Sequence, residues 1–364
     1  MCNNVFSDDV QVPLVSVTVI TYNHAPYIRD CLDGILSQKT SFPFEVIVHD
    51  DASTDGTSDI VREYKQRFPQ QIVAVLQKEN QYSKGVDILA RYIRPLIRRK
   101  YRALCEGDDF WHRTDKLQRQ IEILEDDPSV ALVATDVDAL VMRSGRRIRA
   151  CMKRAGHLDK LNHVQDMTAS LLKREIGLFT CSACMRSDPY FRMRQANAFE
   201  FSRNFKMGDV QTWWELSRLG KVVVIPESMA TYRVLQNSAS HSPDRMKTYD
   251  FYVNSLELHE HYVQKFGYGK DMLEAVRQAH YGILGDLALR LKREDLRQKT
   301  LGLVGQIASG RSLGSRVVAW GLQTQRRFRS LAVVWPLIEV GCKTYSRCLR
   351  QATRLSQQFK IKSI

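Results

Sequence analysis

The chain has 364 residues, 44% of them hydrophobic and 26% charged, which is the composition of a globular protein with a sizeable core and excludes a disordered chain. Its eight cysteines are scattered, which excludes a small disulfide-bonded domain and favours a reducing compartment. Most of the net charge of +14 comes from the segment after residue 310, where eleven basic residues accompany a single acid, Glu339.

Predicted strands and helices alternate through the first 110 residues. Alternation of β-branched and small polar residues predicts a strand over 15–20, and similar patterns predict strands over 44–49, 72–76 and 102–105. Apolar residues at helical spacing predict helices between them, over 26–38, from a cap at Thr57 or Ser58 to Phe68, and over 85–94. This order indicates right-handed βαβ units on a largely parallel sheet, where ligands bind beyond the carboxyl ends of the strands.

The pattern continues less regularly through the next 135 residues. Residues 141–165 are basic and allow no clear assignment. Before them, the pattern predicts a helix over 116–124 and a strand over 130–134. After them, it predicts a strand over 178–185, a helix over 210–219 and a strand over 221–225. From residue 249 onward the pattern is mostly helical. The predicted class is α/β, with one domain over 1–245 and a helical, basic C-terminal region over 246–364.

Two acidic clusters follow predicted strands. Asp50 and Asp51 end the second strand, and Glu106, Asp108 and Asp109 end the fourth. Carboxylates at such a place offer the hard oxygen ligands that suit Mg²⁺ or Mn²⁺ bound to a diphosphate. Acidic pairs in loops are more often solvated turn residues, so the clusters alone do not decide the function.

Four segments in order resemble the family 2 glycosyltransferases with the Rossmann-like GT-A fold. The segment 15–23 (VSVTVITYN) is similar to the opening strand of the family, and 48–57 (VHDDASTDGT) is similar to its nucleotide loop. The segment 105–111 (CEGDDFW) resembles the DxD-type loop, and 116–120 (KLQRQ) resembles the helix after that loop in a bacterial branch. The resemblance covers about 110 residues and implies a nucleotide-sugar donor, UDP first among the nucleotides. It also implies that the domain is divided into a nucleotide-binding half (12–110) and an acceptor half (111–245).

The resemblance assigns the donor contacts of the first two loops. It implies that Thr21, Tyr22 and Asn23 line the nucleotide, that the Tyr22 ring lies against the base, and that Asp51 accepts a hydrogen bond from uracil. Stacking on an aromatic ring stabilises a bound base by roughly 1 to 3 kcal/mol. Packing at the end of a strand is the alternative role for Tyr22.

The same resemblance assigns Asp108 as the ligand of Mn²⁺ or Mg²⁺. Asp109 is then expected to support this site or to bind a ribose hydroxyl. Glu106 occupies the first acidic position of the loop, where the family usually has Asp, so its role as a metal ligand is the less certain of the two. His241 is a further candidate for the metal, with an ordinary surface histidine as the alternative.

The segment 206–214 (KMGDVQTWW) resembles the part of the family that supplies the general base. Asp209 is the implied base in an inverting transfer, and Gly208 replaces the usual Glu beside it. A helix N-cap is the structural alternative for Asp209. One of Trp213 and Trp214 is expected to stack on an acceptor sugar, and the other to pack in the core.

Three basic residues are candidates for the donor phosphates. Lys84 and Arg91 lie where the family contacts its donor. The alternative for both side chains is that they face solvent without contacting the donor. Arg233 precedes a loop that resembles the one closing over the diphosphate, so it is expected to pair with phosphate. No segment of the QxxRW type follows Trp214, which favours transfer of single sugars over polymerisation.

The implied enzyme is a metal-dependent, inverting, non-processive transferase that uses a saccharide or a lipid-linked acceptor in polysaccharide biosynthesis. The alternative from another class is a catalytically idle nucleotide-binding or scaffolding protein on the same fold. A dinucleotide-dependent oxidoreductase is not favoured, because no GxGxxG follows the first strand.

The basic segment after residue 310 favours a peripheral contact with an anionic membrane. A solvated helical face and an oligomer contact are the alternatives, and binding of nucleic acid is not favoured because no recognised motif accompanies the charge. Residues 1–10 do not resemble a signal peptide, and no apolar run reaches the ~20 residues of a spanning helix. The expected location is therefore the cytoplasm or the cytoplasmic face of the membrane. Cys181 and Cys184 form a lone CxxC that is expected to pack rather than to bind zinc.

Overall fold

The computed structural model describes residues 12–161, 166–202, 205, 207–235, 242 and 244–305. The chain divides into two units between Val276 and Arg277. His241 and the basic segment after residue 310 lie outside the described residues, so what we expect of them stays a prediction.

The described strands form one sheet with the order β3-β2-β1-β4-β8-β6-β9-β5, and β7 pairs with β6 outside this path. Their bounds are β1 Val15–Thr21, β2 Phe44–Asp50, β3 Ile72–Leu76, β4 Tyr101–Glu106, β5 Phe110–Trp111, β6 Val130–Val141, β7 Arg146–Ile148, β8 Cys184–Arg186 and β9 Lys221–Val234.

The first four strands are parallel, in the order 3-2-1-4, which confirms the βαβ units predicted for the nucleotide-binding half. Strand β8 runs antiparallel to both β4 and β6, so the sheet of the acceptor half is mixed. Strands β6 and β9 run parallel to each other over most of their length. The predicted α/β class is confirmed.

The helices alternate with the strands along the chain and continue after β9. They are α1 Ile28–Leu36, α2 Thr57–Arg67, α3 Lys116–Asp126, α4 Cys151–Arg154, α5 His157–Leu161, α6 Met167–Leu172, α7 Ser187–Ala196, α8 Ala198–Ser202, α9 Gly208–Leu219, α10 Arg245–Lys265, α11 Lys270–Leu291 and α12 Glu294–Gly305. Within the described ranges, no helix has the length and the apolar character needed to cross a bilayer.

The core forms where the central strands meet their helices. Every residue of β2 is buried, and Val15, Val17 and Val19 of β1 are fully buried. Helix α1 adds Ile28, Cys31, Leu32 and Ile35 from one face. Each fully buried side chain of this size stabilises the fold by roughly 1.5 to 3 kcal/mol, so the edge of the sheet that carries the loops is held rigidly.

Three local predictions differ from the structure. Residues 85–94 form no regular α-helix; a π-helical turn at Leu89–Ile93 runs into a 3₁₀ turn at Arg94–Leu96, where Pro95 disfavours a continuing helix. The predicted strand over 178–185 is a 3₁₀ turn, Thr180–Ser182, followed by the short β8. Helix α2 is preceded by Gly56 in a left-handed conformation, so neither Thr57 nor Ser58 caps it.

Candidate active site

Loops from three neighbouring parallel strands meet at one edge of the sheet. The N–H of Asp51, after β2, donates to the Thr21 carbonyl at 3.0 Å, and the N–H of Gly107, after β4, donates to the Ile20 carbonyl at 3.0 Å. The first two loops and the acidic loop 106–109 are thus joined directly, as their positions after parallel strands predicted.

Asn23 builds the first loop rather than leaving its side chain free. Its Oδ1 accepts from the Thr54 N–H at 2.8 Å, and its own N–H donates to the Ser53 hydroxyl at 2.8 Å. Its φ of 56° lies in the left-handed region, which Asn tolerates better than most residues. Asn23 therefore shapes the turn on which Tyr22 is presented.

Thr21 and Tyr22 differ sharply in exposure. Thr21 is 1% exposed, whereas Tyr22 is 45% exposed. A ring with that exposure beside the strand ends is available to stack on a base, while the Thr21 side chain lies beneath the loop surface.

Asp51 is buried and fastens another loop. One carboxylate oxygen accepts from the Gln81 N–H at 2.8 Å, and the other accepts from the Tyr82 N–H at 3.0 Å. Each oxygen has a second lone pair, so these bonds leave room for one more donor. Asp51 positions the segment that carries Lys84.

Lys84 and Arg91 are exposed on or near this segment. Lys84 forms an ion pair with Glu79, and the Arg91 guanidinium lies over the Tyr92 ring at 5.8 Å from its centroid. Their expected contacts with donor phosphate stay predictions.

Gly107 permits the close approach of the acidic loop to the first loop. A Cβ built on Gly107 would lie 2.5 Å from Thr21 Oγ1, 2.6 Å from Thr21 Cβ and 3.0 Å from His24 Nδ1. No other residue type fits between these atoms without a shift. Sequence reasoning missed this requirement, although a glycine between two acids was its visible signal.

Asp109 is turned into the protein. It is 1% exposed, and its Oδ1 accepts from the Arg233 N–H at 2.7 Å. Its Oδ2 is buried and, apart from a weak contact with the Cys181 thiol, has no donor in the described part of the chain. Burial, and then the Asp108 carboxylate, raise the pKa of Asp109 to about 8.

Glu106 and Asp209 share one electrostatic environment. Burial and the carboxylates of Asp109, Asp108 and Asp209 raise the pKa of Glu106 well above its ordinary value. The Asp209 carboxylate, in the first turn of α9, is the weakest of these three charged neighbours. Met207, not Asp209, occupies the N-cap of α9, so the capping alternative is wrong.

Asp209 is reached by solvent, yet burial raises the pKa of its carboxyl above the ordinary value. A raised pKa makes this carboxylate a stronger base than an ordinary surface aspartate.

The acidic loop has the donor set that a divalent cation needs. Asp108 is half-buried between Glu106 and Asp109, and the pKa values of these two neighbours are raised first by burial and then by the repulsion between the carboxylates. The described residues contain no group of three metal-ligating side chains. Mg²⁺ sites commonly use one or two carboxylates and complete their shell with substrate phosphates and water, so the residues fit.

Arg233 holds the acidic loop in place. Its side chain is 5% exposed, its Nη1 donates to the Asp108 carbonyl at 2.7 Å, and its Nη2 pairs with the Asp30 carboxylate of α1. The guanidinium also lies 4.5 Å from the Phe110 ring centroid and 5.2 Å from that of Tyr27. Sequence reasoning assigned Arg233 to phosphate and missed Asp30, which no local pattern marks.

The two tryptophans of α9 are both buried. Trp213 is 2% exposed and Trp214 is 0% exposed, and Trp214 packs against His259 and Tyr262 with ring centroids 4.7 and 5.0 Å away. The expectation that one of them stacks on an acceptor sugar is wrong, because both side chains are buried and α10 packs against Trp214.

Lys116 lies fully buried beneath the acidic loop. Its Nζ donates to Gln120 Oε1 at 2.8 Å and lies 4.0 Å from the Trp111 ring centroid. Burial lowers the pKa of Lys116 to about 8. Gln120 donates in turn to the carbonyls of Val133 and Ser182, so the resemblance over 116–120 corresponds to a buried polar support.

Comparison with known proteins agrees with this geometry. A family model described as glycosyl transferase family 2 matches residues 16–188, which include all three loops. Residues 16–188 belong to glycosyl transferase family 2. The match ends at residue 188, before α9, so it does not extend to Asp209.

An uncharacterised protein of Mycobacterium tuberculosis is 31% identical to the chain over 241 residues, which are 65% of this chain. The chain spans 64% of the length of that relative. TuaG of Bacillus subtilis, described as a candidate teichuronic acid biosynthesis glycosyltransferase, is 29% identical over 233 residues, 63% of this chain and 82% of its own.

Among solved structures, residues 1–349 of TarS from S. aureus superpose with a TM-score of 0.53 at 16% identity, covering 86% of this chain and 91% of that one. At this identity the likeness concerns the fold alone, which is of the GT-A type.

Proposed function

We propose that the protein is a metal-dependent, inverting, non-processive glycosyltransferase that transfers a sugar from a UDP-sugar, or another nucleotide sugar, to a saccharide or lipid-linked acceptor. The observation that carries this proposal is the meeting of the acidic loop with the loops after β1 and β2, where the N–H groups of Gly107 and Asp51 donate to the carbonyls of Ile20 and Thr21. The effect of the Asp209 carboxylate on the pKa of Glu106 supports Asp209 as a base close to this loop. The kinship with TuaG supports a role in polysaccharide biosynthesis.

The donor contacts follow from exposure and charge. Tyr22, 45% exposed, offers its ring to the base, with Thr21, Asn23 and Asp51 shaping the loop beneath it. Asp108 would hold Mn²⁺ or Mg²⁺, with Asp109 and Glu106 beside it. A divalent cation there supplies positive charge to the departing diphosphate.

The acceptor step uses Asp209 as the general base. Its carboxylate accepts the proton of the acceptor hydroxyl, and the freed oxygen forms a bond to the anomeric carbon. The bond from that carbon to the diphosphate oxygen breaks, and its electron pair leaves with the nucleoside diphosphate. Attack opposite to the leaving group inverts the anomeric configuration. The raised pKa of Asp209 supports this role, because a base works best when its pKa is close to the working pH.

The experiment measures release of nucleoside diphosphate from a panel of UDP- and GDP-sugars with Mn²⁺, with and without saccharide acceptors. The variants are Asp108→Asn and Asp209→Asn, and Asp188→Asn is the matched control because its side chain is 88% exposed on α7. We expect Asp108→Asn to lower metal-dependent turnover about a hundredfold or more.

Asp209→Asn is expected to lower kcat by about 10² to 10⁴ while donor KM stays close to that of the wild type. Full activity of Asp108→Asn would contradict the metal assignment. Binding of nucleotide without turnover of any donor in the panel would favour the idle nucleotide-binding protein instead. NMR of the product anomer tests the inversion.

A further inference from the structure

The acceptor half carries a strongly basic segment, residues 143–154, which we call the basic arm. It consists of the β6–β7 turn, β7 and α4, and it contains no acid. All six of its basic side chains are exposed: Arg143, Arg146, Arg147, Arg149, Lys153 and Arg154.

Two buried aspartates of β6 hold the backbone of the arm. Asp138 accepts from the Ala150 N–H at 2.9 Å and from Arg147 Nε at 2.8 Å. Asp136 accepts from the N–H groups of Met152 at 2.8 Å and Lys153 at 3.1 Å, at the start of α4. The arm is therefore an ordered part of the fold with its cationic side chains outward.

Only one charge of the arm is compensated within the described part of the chain. Arg147 pairs with Asp138, and no ion pair there joins the other five basic side chains to a carboxylate. Five uncompensated cations in twelve residues create a local positive potential strong enough to attract an anionic partner. Met142, 37% exposed, adds an apolar side chain at the base of the arm.

The arm stands at the rim of the candidate active site. Leu140 of β6 pairs with Arg233, whose N–H donates to Asp109. Strand β8 lies between β4 and β6 and allows their lengths to be compared, because its Cys184 pairs with Ala103 of β4 and with Val133 of β6.

From these paired residues, β4 reaches Glu106 after three residues, whereas β6 reaches Val141 after eight. At about 3.3 Å per residue, β6 therefore continues for roughly 16 Å beyond the level of Glu106. Bulges near Asp136 bend the strand over this stretch. The β6–β7 turn, which carries Arg143, thus projects beyond the edge of the sheet that carries the acidic loop, and β7 and α4 return along β6 toward Asp138 and Asp136.

We propose that the basic arm docks the protein on an anionic phospholipid surface, so that the candidate active site faces the membrane. Arginines form paired hydrogen bonds with phosphate oxygens, and four of the five uncompensated cations are arginines. A projecting, ordered arm suits a broad surface of phosphates better than one small ligand, which would need an enclosed pocket. The inference does not depend on transferase activity. If the acceptor is lipid-linked, docking would bring the enzyme to the membrane that holds its acceptor.

The test is co-sedimentation of the full chain with phosphatidylcholine vesicles, with and without phosphatidylglycerol. The arm variant carries Arg143→Gln, Arg146→Gln and Arg149→Gln. A control variant removes the same charge from exposed positions elsewhere and carries Lys39→Gln, Arg62→Gln and Arg98→Gln. Circular dichroism and thermal melting confirm that both variants fold.

We expect the wild type to bind only the anionic vesicles, and binding to weaken as salt is raised. Each basic residue near such a surface strengthens binding about fivefold, so the arm variant is expected to bind roughly a hundredfold more weakly. The control variant should stay within about threefold of the wild type. Donor turnover with a soluble acceptor should be unchanged in the arm variant, which separates a failure of docking from a failure of the proposed function.

Three outcomes would overturn the docking proposal. Wild-type affinity of the arm variant would show that another segment, such as the one after residue 310, binds the membrane. Equal losses in both variants would show that net charge alone matters. Binding to soluble polyphosphate without binding to vesicles would identify a polyanion, and not a membrane, as the partner.

Discussion

Substitution of Gly107 by Ala tests whether contact between the acidic loop and the first loop controls catalysis. The added methyl group would lie 2.5 Å from Thr21 Oγ1 and 2.6 Å from Thr21 Cβ, whereas carbon atoms in ordinary contact lie about 3.5 to 4.0 Å apart. About 1 Å of displacement is therefore needed. Thr21 is 1% exposed and belongs to β1, which is paired on both sides, so the acidic loop is the part that moves.

The size of the effect follows from this displacement. Overpacking of this kind destabilises a protein by about 1 to 3 kcal/mol. A shift of about 1 Å in a catalytic group lowers the rate by roughly a hundredfold. We therefore expect Gly107→Ala to lose activity far beyond what its loss of stability explains.

The assay combines metal-dependent donor turnover with urea unfolding. Gly269→Ala is the matched control, since a Cβ there has no atom within 4 Å and the variant should keep full turnover. Near-normal turnover of a folded Gly107→Ala protein would refute the reasoning, because the acidic loop would then tolerate displacement.

Three further predictions concern the supports of the site. Lys116→Met removes a lysine whose pKa is about 8 in the folded protein and near 10.4 in the unfolded chain. Because the folded protein loses this proton first, the free energy of unfolding of the wild type rises relative to that of the variant between pH 7 and pH 10. We expect a difference of about 2 to 3 kcal/mol, measured by urea unfolding. Asp30→Asn leaves Arg233 without its carboxylate; we expect about 1 to 3 kcal/mol lower stability and a lower kcat, while Asp33→Asn, on the same helix, should not alter kcat. Trp214→Ala should lower the free energy of unfolding by about 3 to 5 kcal/mol, measured by denaturant titration, because this side chain is fully buried.

The nucleotide-binding half was predictable because its signals are local. Strand β1 alternates β-branched and small polar residues, β2 is a short and mostly apolar segment, and α1 places Ile28, Leu32 and Ile35 on one face at helical spacing. Parallel strands bring their carboxyl ends to one edge, so the meeting of the three loops followed from element order alone.

The supports of the loops were not predictable, because their partners are distant in the chain. Arg233 and Asp30 are 203 residues apart, and Arg233 bonds to Asp109 across 124 residues. Nothing in the pattern around Arg233 distinguishes a clamp on the acidic loop from a ligand of phosphate.

By itself, the sequence determined the α/β class, the alternation of the first four strands and the identity of the loops that meet. Only the tertiary structure decided which side chains remain exposed there, as with Tyr22, and which turn inward, as with Asp109 and Trp214. The physical reason is that periodicity reports which face of an element is buried, whereas exposure at a loop depends on segments packed against it from elsewhere in the chain.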